Sequence, residues 1–295
     1  MPTRIFLNKK NIGLTSGNYI STNIVNVPPL LLNLYPGASA AYSLRKLDTS
    51  YAGSAIQVRR TSDQVTQNIG FVNNLLDTAA LTTFLGFGAG TVTIWYDQSG
   101  NGRDMLSATA AEQPLVYAQG IYTNNGVPYC RFDGSDDRMY LAFDPTTAGV
   151  VSTFTVAISS FSTAGTAVFL QQDQTPGSRI GQWARFSGGI SQSIAFNTAQ
   201  QNFTSNGVTV TDSTPYVYTT IRRSTDIQSY TNGSTGGAVT TTGTPISNAA
   251  ATVYIGRRSI GEALGGLMSE IVLYPSDRTT TRAGIEQNIR NYYGF

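Results

Sequence analysis

Acid–base chemistry in this 295-residue sequence falls to seventeen carboxylates, since it contains no His and a single Cys. Hydrolysis of a glycosidic bond needs two carboxyl groups facing the sugar, about 5 Å apart for retention and further apart for inversion. Glu occurs at four positions, Glu112, Glu262, Glu270 and Glu286, and the densest group of Asp is Asp133, Asp136 and Asp137. That group sits in a turn-like run, Asp133-Gly134-Ser135-Asp136-Asp137. Glu286 falls in a predicted helix. Glu270 alternates with an inward Ile271, which points it to solvent or a sheet edge. Spacing alone singles out no catalytic pair, and no catalytic residue is assigned.

Asp97-Gln98-Ser99-Gly100-Asn101-Gly102 places oxygen-bearing side chains at alternate positions ahead of a Gly, like the first half of a calcium loop. Asp97, Ser99, Asn101 and Asp104 are the candidate ligands. Ala108 stands where the bidentate Glu of such a loop belongs, so a tight Asx turn is the favoured reading. No other cofactor is expected. A sugar-binding face would set an exposed aromatic beside planar polar groups. Trp183 and Arg185, in Gly181-Gln182-Trp183-Ala184-Arg185, are the candidates for it, read as a loop, with packing of Trp183 in the core or at an edge as the stronger alternative. Trp95 lies inside an alternating strand and reads as core.

Other chemistries are excluded by composition. Without His there is no Ser-His-Asp or Cys-His triad and no His-ligated metal. Cys130 has no partner for an internal disulfide and reads as a small buried hydrophobe. Gly86-Phe87-Gly88-Ala89-Gly90 follows a helix and precedes a strand, the reverse of a phosphate cradle. A net charge of +2, with sixteen dispersed Arg and three Lys, offers no basic face for nucleic acid. No apolar run is long enough for a membrane helix. Met1-Pro2-Thr3-Arg4-Ile5 lacks the order of a signal peptide, so synthesis in a cytoplasm is expected.

The elements that must position these residues are mostly strands. Hydrophobic residues make up 40% and charged residues only 12%, with 30 Gly, a balance that suits short strands and turns over long helices. Alternation marks strands at Val92-Ile94-Tyr96, Phe154-Val156-Ile158, Tyr216-Tyr218 and Gly266–Tyr274, and Asn232-Gly233 marks a hairpin turn. Short helices are predicted over Ala38–Leu47, from an Asp77 cap to Gly86, and after an Asp277 cap with Ile285, Ile289 and Tyr292 as the apolar stripe. Residues 1–35 mix apolar and polar positions without a helical period. They read as an extended anchoring or oligomerisation arm carrying Ile5, Leu7, Ile12, Leu14, Ile20 and Val27, or equally as an ordinary first strand. Residues 36–295 read as one domain.

Two groups of motifs carry a resemblance. Ala41-Tyr42-Ser43-Leu44-Arg45-Lys46-Leu47, Tyr51-Ala52-Gly53, Gln57-Val58-Arg59-Arg60 and Trp95-Tyr96-Asp97-Gln98-Ser99-Gly100-Asn101-Gly102 resemble the opening of the α-L-arabinofuranosidase B catalytic domain. Phe132-Asp133-Gly134-Ser135-Asp136-Asp137, Tyr254-Ile255-Gly256-Arg257 and Gly266–Tyr274 resemble laminin-G and concanavalin A-like lectin/glucanase modules. The implied fold is all-β, a concanavalin A-like β-sandwich (jelly roll) with a few short helices. The arabinofuranosidase family surrounds its nucleophilic Glu with Cys. This chain has one Cys and no segment matching that stretch, so no catalytic position is carried over.

Sequences of this hybrid type also resemble virion proteins of tailed bacteriophages, including those of gut Bacteroidetes. The resemblance leads to the expectation of a non-enzymatic virion subunit, a capsid-attached fibre, decoration or tail appendage. It would be held to other virion proteins by its arm, would form a homo-oligomer and would face cell-surface polysaccharide. The alternatives are a glycoside hydrolase acting on capsule polysaccharide and a free carbohydrate-binding lectin.

Overall fold

A computed structural model describes residues 29–159, 166–173, 180–185, 190–195, 203–211, 213–240, 252–257 and 262–295. The arm positions Ile5, Leu7, Ile12, Leu14, Ile20 and Val27 lie outside the described residues. Antiparallel strands dominate and build the expected all-β sandwich. The spine of one layer is the strand Gly265–Tyr274. Two strands share one of its edges in tandem: Ala40–Ser43 lies opposite Glu270–Leu273, and Cys130–Asp133 opposite Gly265–Met268. Its other edge pairs with Val151–Ser159, and the layer continues through Pro215–Arg222, Asp226–Thr231 and Ser234–Thr240.

The second layer begins at Thr66–Ile69 and runs through Ile56–Arg60, Ala89–Trp95, Met105–Leu106, Met139–Ala142 and Thr252–Ile255. It continues through Thr166–Asp173, Ile180–Arg185 and Ile190–Ala195 to Phe203–Thr209. Leu115–Ala118 pairs with both layers and joins them along one side. Period-2 alternation then fills the interior: Ile56, Val92, Trp95, Met139, Val253 and Ile255 meet Phe132, Tyr218, Met268 and Ile271. Trp95 and Cys130 are both fully buried, and burial raises the Cys130 thiol well above its usual range.

A second core covers the far face of the first layer. Ala41, Phe154, Val156, Val217, Val272 and Tyr274 pack beneath Leu31, Leu32, Ile285, Ile289 and Tyr293. Because both faces are covered, Val151–Ser159 is buried at all nine positions. The predicted helix over Ala38–Leu47 is instead the strand Ala40–Ser43, because Ala41 and Tyr42 must face different cores. Residues 31–34, expected as extended, form a helical turn whose Leu31 is fully buried.

The helix Thr78–Leu85 starts as predicted, with Asp77 Oδ1 accepting the Ala80 N–H at 2.9 Å. The terminal helix Arg282–Tyr293 begins later than predicted, after Thr281, and Asp277 accepts from the Thr279 N–H instead. Asn232 and Gly233 adopt φ of 48° and 86°, the pair of positive values that a type I′ hairpin requires.

Candidate functional site

The strand Cys130–Asp133 leads into an acidic loop before the chain returns as Met139–Ala142. Asp133 Oδ1 accepts the backbone N–H of Ser135 at 2.7 Å and of Asp136 at 3.2 Å, while Asp137 Oδ2 accepts the Asp133 N–H at 2.8 Å. These bonds fold the loop so tightly that the three carboxyl groups offer oxygens within 4.8 Å of one another. Asp133 is committed to the turn. Asp136 is half-buried, and no donor among the described residues reaches its carboxylate. Asp137 is only 6% exposed.

Carboxylates this close resist ionising together. Burial, followed by the Asp133 charge, pushes Asp137 up to about 7, against the opposing pull of the Asp133 N–H and Arg131. The carboxyl group therefore retains a proton close to neutrality, the condition a general acid needs. The same shift fixes a stability trend. Between the ordinary Asp value of about 4 and the folded value of about 7, the folded chain holds a proton that the unfolded chain has released. Asp137 thus favours folding less as pH rises across that window, and its penalty is complete above it. Urea midpoints of Asp137→Asn are expected to lack this decline and to exceed the native midpoint at about pH 8.

Close backbone contacts hold the loop in place. A Cβ on Gly256 would fall 2.3 Å from the Phe132 ring and 3.1 Å from the Asp137 carbonyl oxygen, and Gly256 has φ of +85°. Gly256→Ala is expected to cost roughly 2–4 kcal/mol in chemical denaturation, through overpacking and left-handed strain together. Next along the chain, Arg138 grips Glu112 through two bonds, Nε to Oε2 at 2.9 Å and Nη2 to Oε1 at 2.7 Å.

Two further Glu serve architecture. Glu270 was expected at solvent or an edge; it is fully buried. It does alternate with Ile271, but the face it occupies lies under the terminal helix. Arg45 donates to it from Nε at 2.7 Å and Nη2 at 3.0 Å, Ser43 Oγ at 2.8 Å and Tyr293 OH at 3.2 Å. Glu286 accepts from Thr219 Oγ1 at 2.7 Å and Arg282 Nη1 at 2.5 Å. Glu262 is half-buried just ahead of the spine strand.

The four calcium candidates come together as a hydrogen-bonded clasp. Asp97 Oδ1 accepts from the N–H groups of Ala41 at 2.8 Å and Ser99 at 2.9 Å. Its Oδ2 accepts from Ser99 Oγ at 2.7 Å and the Arg103 N–H at 3.1 Å. Asp104 Oδ1 accepts the Asp97 N–H at 2.8 Å, and Asn101 Nδ2 donates to the Ala38 carbonyl at 3.0 Å. Four N–H or O–H groups turned toward one carboxylate present positive ends where a cation would have to sit, so this donor set fits a turn and does not fit calcium. Beneath it Gln98 accepts from the Leu47 N–H and donates to the Ser43 and Arg45 carbonyls, tying 41–47 to the loop.

Trp183 and Arg185 lie in the strand Ile180–Arg185 and not in a loop. Trp183 stands opposite Val168 and Gln192, and Arg185 opposite Thr166 and Ile190; their side chains lie outside the described residues. Their neighbour Gln182 is buried and donates to the Tyr218 carbonyl at 3.0 Å.

The family of α-L-arabinofuranosidase B catalytic domains matches residues 35–126. No curated protein matches the chain. A mutant α-L-arabinofuranosidase of glycoside hydrolase family 54, soaked with 4-nitrophenyl α-L-arabinofuranoside, superposes with TM-score 0.65 at 18% identity, covering 89% of this chain and 64% of that one. An arabinofuranosidase complexed with arabinofuranosyl-α-1,2-xylobiose gives 0.59 at 17% identity with the same coverage. Domain 4 of the extracellular arabinanase AbnA from Geobacillus stearothermophilus, in complex with arabinotriose, gives 0.50 at 14% identity, covering 65% of this chain and 92% of that domain.

At such identities the likeness shows the shared fold. The chain spans 64% of the length of the arabinofuranosidase structures. The expectation of a non-enzymatic virion structural subunit is corrected by the family match, because the matching segment belongs to a catalytic domain. It is the hydrolase alternative that the match favours.

Proposed function

We propose that this protein is a glycoside hydrolase that cleaves α-L-arabinofuranosyl linkages. The observation carrying the proposal is the match of residues 35–126 to an arabinofuranosidase catalytic domain, in a chain whose sandwich follows arabinofuranosidase structures over 89% of its length. The acidic loop supplies the chemistry. Protonated Asp137 gives its proton to the glycosidic oxygen as the bond to the anomeric carbon breaks, and an oxygen of the Asp136 carboxylate attacks that carbon from the opposite face. Water then enters: Asp137, now ionised, takes its proton, and the hydroxide oxygen displaces Asp136. The loop's carboxyl oxygens lie within 4.8 Å of one another, closer to the separation used for retention than to the wider one used for inversion, which supports the retaining reading.

Release of 4-nitrophenol from aryl glycosides tests the proposal. Turnover is expected with the α-L-arabinofuranoside and not with the β-D-glucopyranoside or β-D-xylopyranoside. Turnover restricted to the pyranosides, or none at all, counts against it. A second reading, an arabinan-binding sandwich without turnover, is favoured by one observation: Glu112, Glu270 and Glu286 are all tied into ion pairs. It predicts affinity for arabino-oligosaccharides with no product.

A further inference from the structure

Strand register lines up a row of residues across the second layer. Asn68 stands opposite Gln57, Gln57 opposite Ile94, Ile94 opposite Leu106, Leu106 opposite Tyr140, and Tyr140 opposite Tyr254. The residues beside them in the same strands, Ile69, Ile56, Trp95, Met105, Met139 and Ile255, are fully buried in the interior. Alternation therefore sends the row to the outer face. Leu106 is 41% exposed there, and Ile94, Tyr140 and Tyr254 are half-buried. Strands lie about 4.8 Å apart, so Gln57 to Tyr254 spans roughly 19 Å, several sugar units.

The chemistry of the row changes along its length without acquiring net charge. At one end Gln57 Nε2 donates to Asn68 Oδ1 at 3.1 Å, Tyr96 OH to the same oxygen at 2.9 Å, and Thr93 Oγ1 to Gln57 Oε1 at 2.9 Å. The middle is apolar. At the other end the Tyr140 and Tyr254 rings lie 6.0 Å apart at 42°, and neither hydroxyl has a hydrogen-bond partner among the described residues. Arg138 sits 5.9 and 5.8 Å from the two ring centroids, its charge offset by the two-bond grip on Glu112. Tyrosine faces with free hydroxyl tips and fixed planar amides suit a sugar chain, which offers apolar ring faces and hydroxyls at once. The matched absence of net charge selects an uncharged chain over a uronide.

We propose that this row is a binding track for an extended, neutral oligosaccharide lying across the strands. Asp137 precedes Tyr140 by three residues, just ahead of the strand Met139–Ala142, so the acidic loop neighbours the row at Tyr140. The identity of the sugar as arabinose rests on the hydrolase reading; the track itself rests on the row.

Calorimetric titration with linear α-1,5-arabinohexaose, and with an oligogalacturonide of equal length as the charged control, tests the track. The native protein is expected to bind the arabinan oligosaccharide and not the uronide. Tyr140→Ala and Tyr254→Ala are each expected to weaken binding roughly tenfold, while Tyr254→Phe, which keeps the ring, stays within about threefold. Leu106→Glu, at an exposed position that tolerates charge, is a second probe should an Ala variant fail to fold, and it is expected to abolish binding. Unchanged affinity in the Leu106 and Tyr254→Ala variants, equal uptake of the uronide, or no binding by the native protein would overturn the proposal. Aryl arabinofuranoside turnover by the native protein is measured alongside. Track binding without turnover supports the track and removes the hydrolase reading.

Discussion

Arg45→Ala is expected to lower the stability of the folded chain by about 3–5 kcal/mol, read as a fall in the urea midpoint near neutral pH. The guanidinium is 2% exposed and Glu270 is fully buried, so truncating Arg45 leaves a carboxylate in the interior with only neutral donors. The same guanidinium donates to Asn288 at 3.1 Å and lies 4.6 Å from the Tyr292 ring, so the loss reaches the terminal helix. Replacing both partners together, as Arg45→Met with Glu270→Leu, is expected to recover most of the loss, because no buried charge remains. A double variant no more stable than Arg45→Ala would show that the pair is not the anchor of that helix.

Asp137→Asn is expected to reduce hydrolysis of α-1,5-arabinotriose by roughly 10²- to 10⁴-fold, the usual contribution of a positioned proton donor. The loss should be much smaller with 4-nitrophenyl α-L-arabinofuranoside, since 4-nitrophenolate leaves with little help from an acid. That difference between substrates separates proton donation from misfolding, which would depress both alike. Equal losses on the two would remove Asp137 from the role of acid.

Several strands and caps were legible from local rules, although the expected Asp277 cap was not, since the terminal helix starts after Thr281. The strand at Val92-Ile94, the Asp77 cap and the Asn232-Gly233 turn each depend on residues within a few positions of one another, and all three elements form. A register shift opposite Gln57 and Val58 nevertheless turns Ile94 outward while Val92 stays inside. Tertiary context defeated the same rules at Ala38–Leu47 and Glu270. The segment 40–43 is drawn into a sheet by a partner some 230 residues away in sequence, Glu270–Leu273. Alternation placed Glu270 on the correct face, but nothing nearby in sequence announced the helix that covers it. The acidic loop was visible as a cluster. Its distinction lies in burial and in the approach of Gly256, more than a hundred residues away in sequence, which only the fold brings to Asp137. The Tyr140–Tyr254 row depends likewise on register between strands more than a hundred residues apart.

The dependence of kcat/KM on pH with α-1,5-arabinotriose joins the sandwich, the acidic loop and the proposed activity in one measurement. An acid held at about 7 must be protonated to work, so the rate should fall about tenfold per unit as pH rises beyond that value. The limb should disappear in Asp137→Asn along with most of the activity. A rate that stays level between about pH 6 and 9, or a falling limb that survives the substitution, would contradict proton donation by Asp137 and with it the hydrolytic role assigned to this loop.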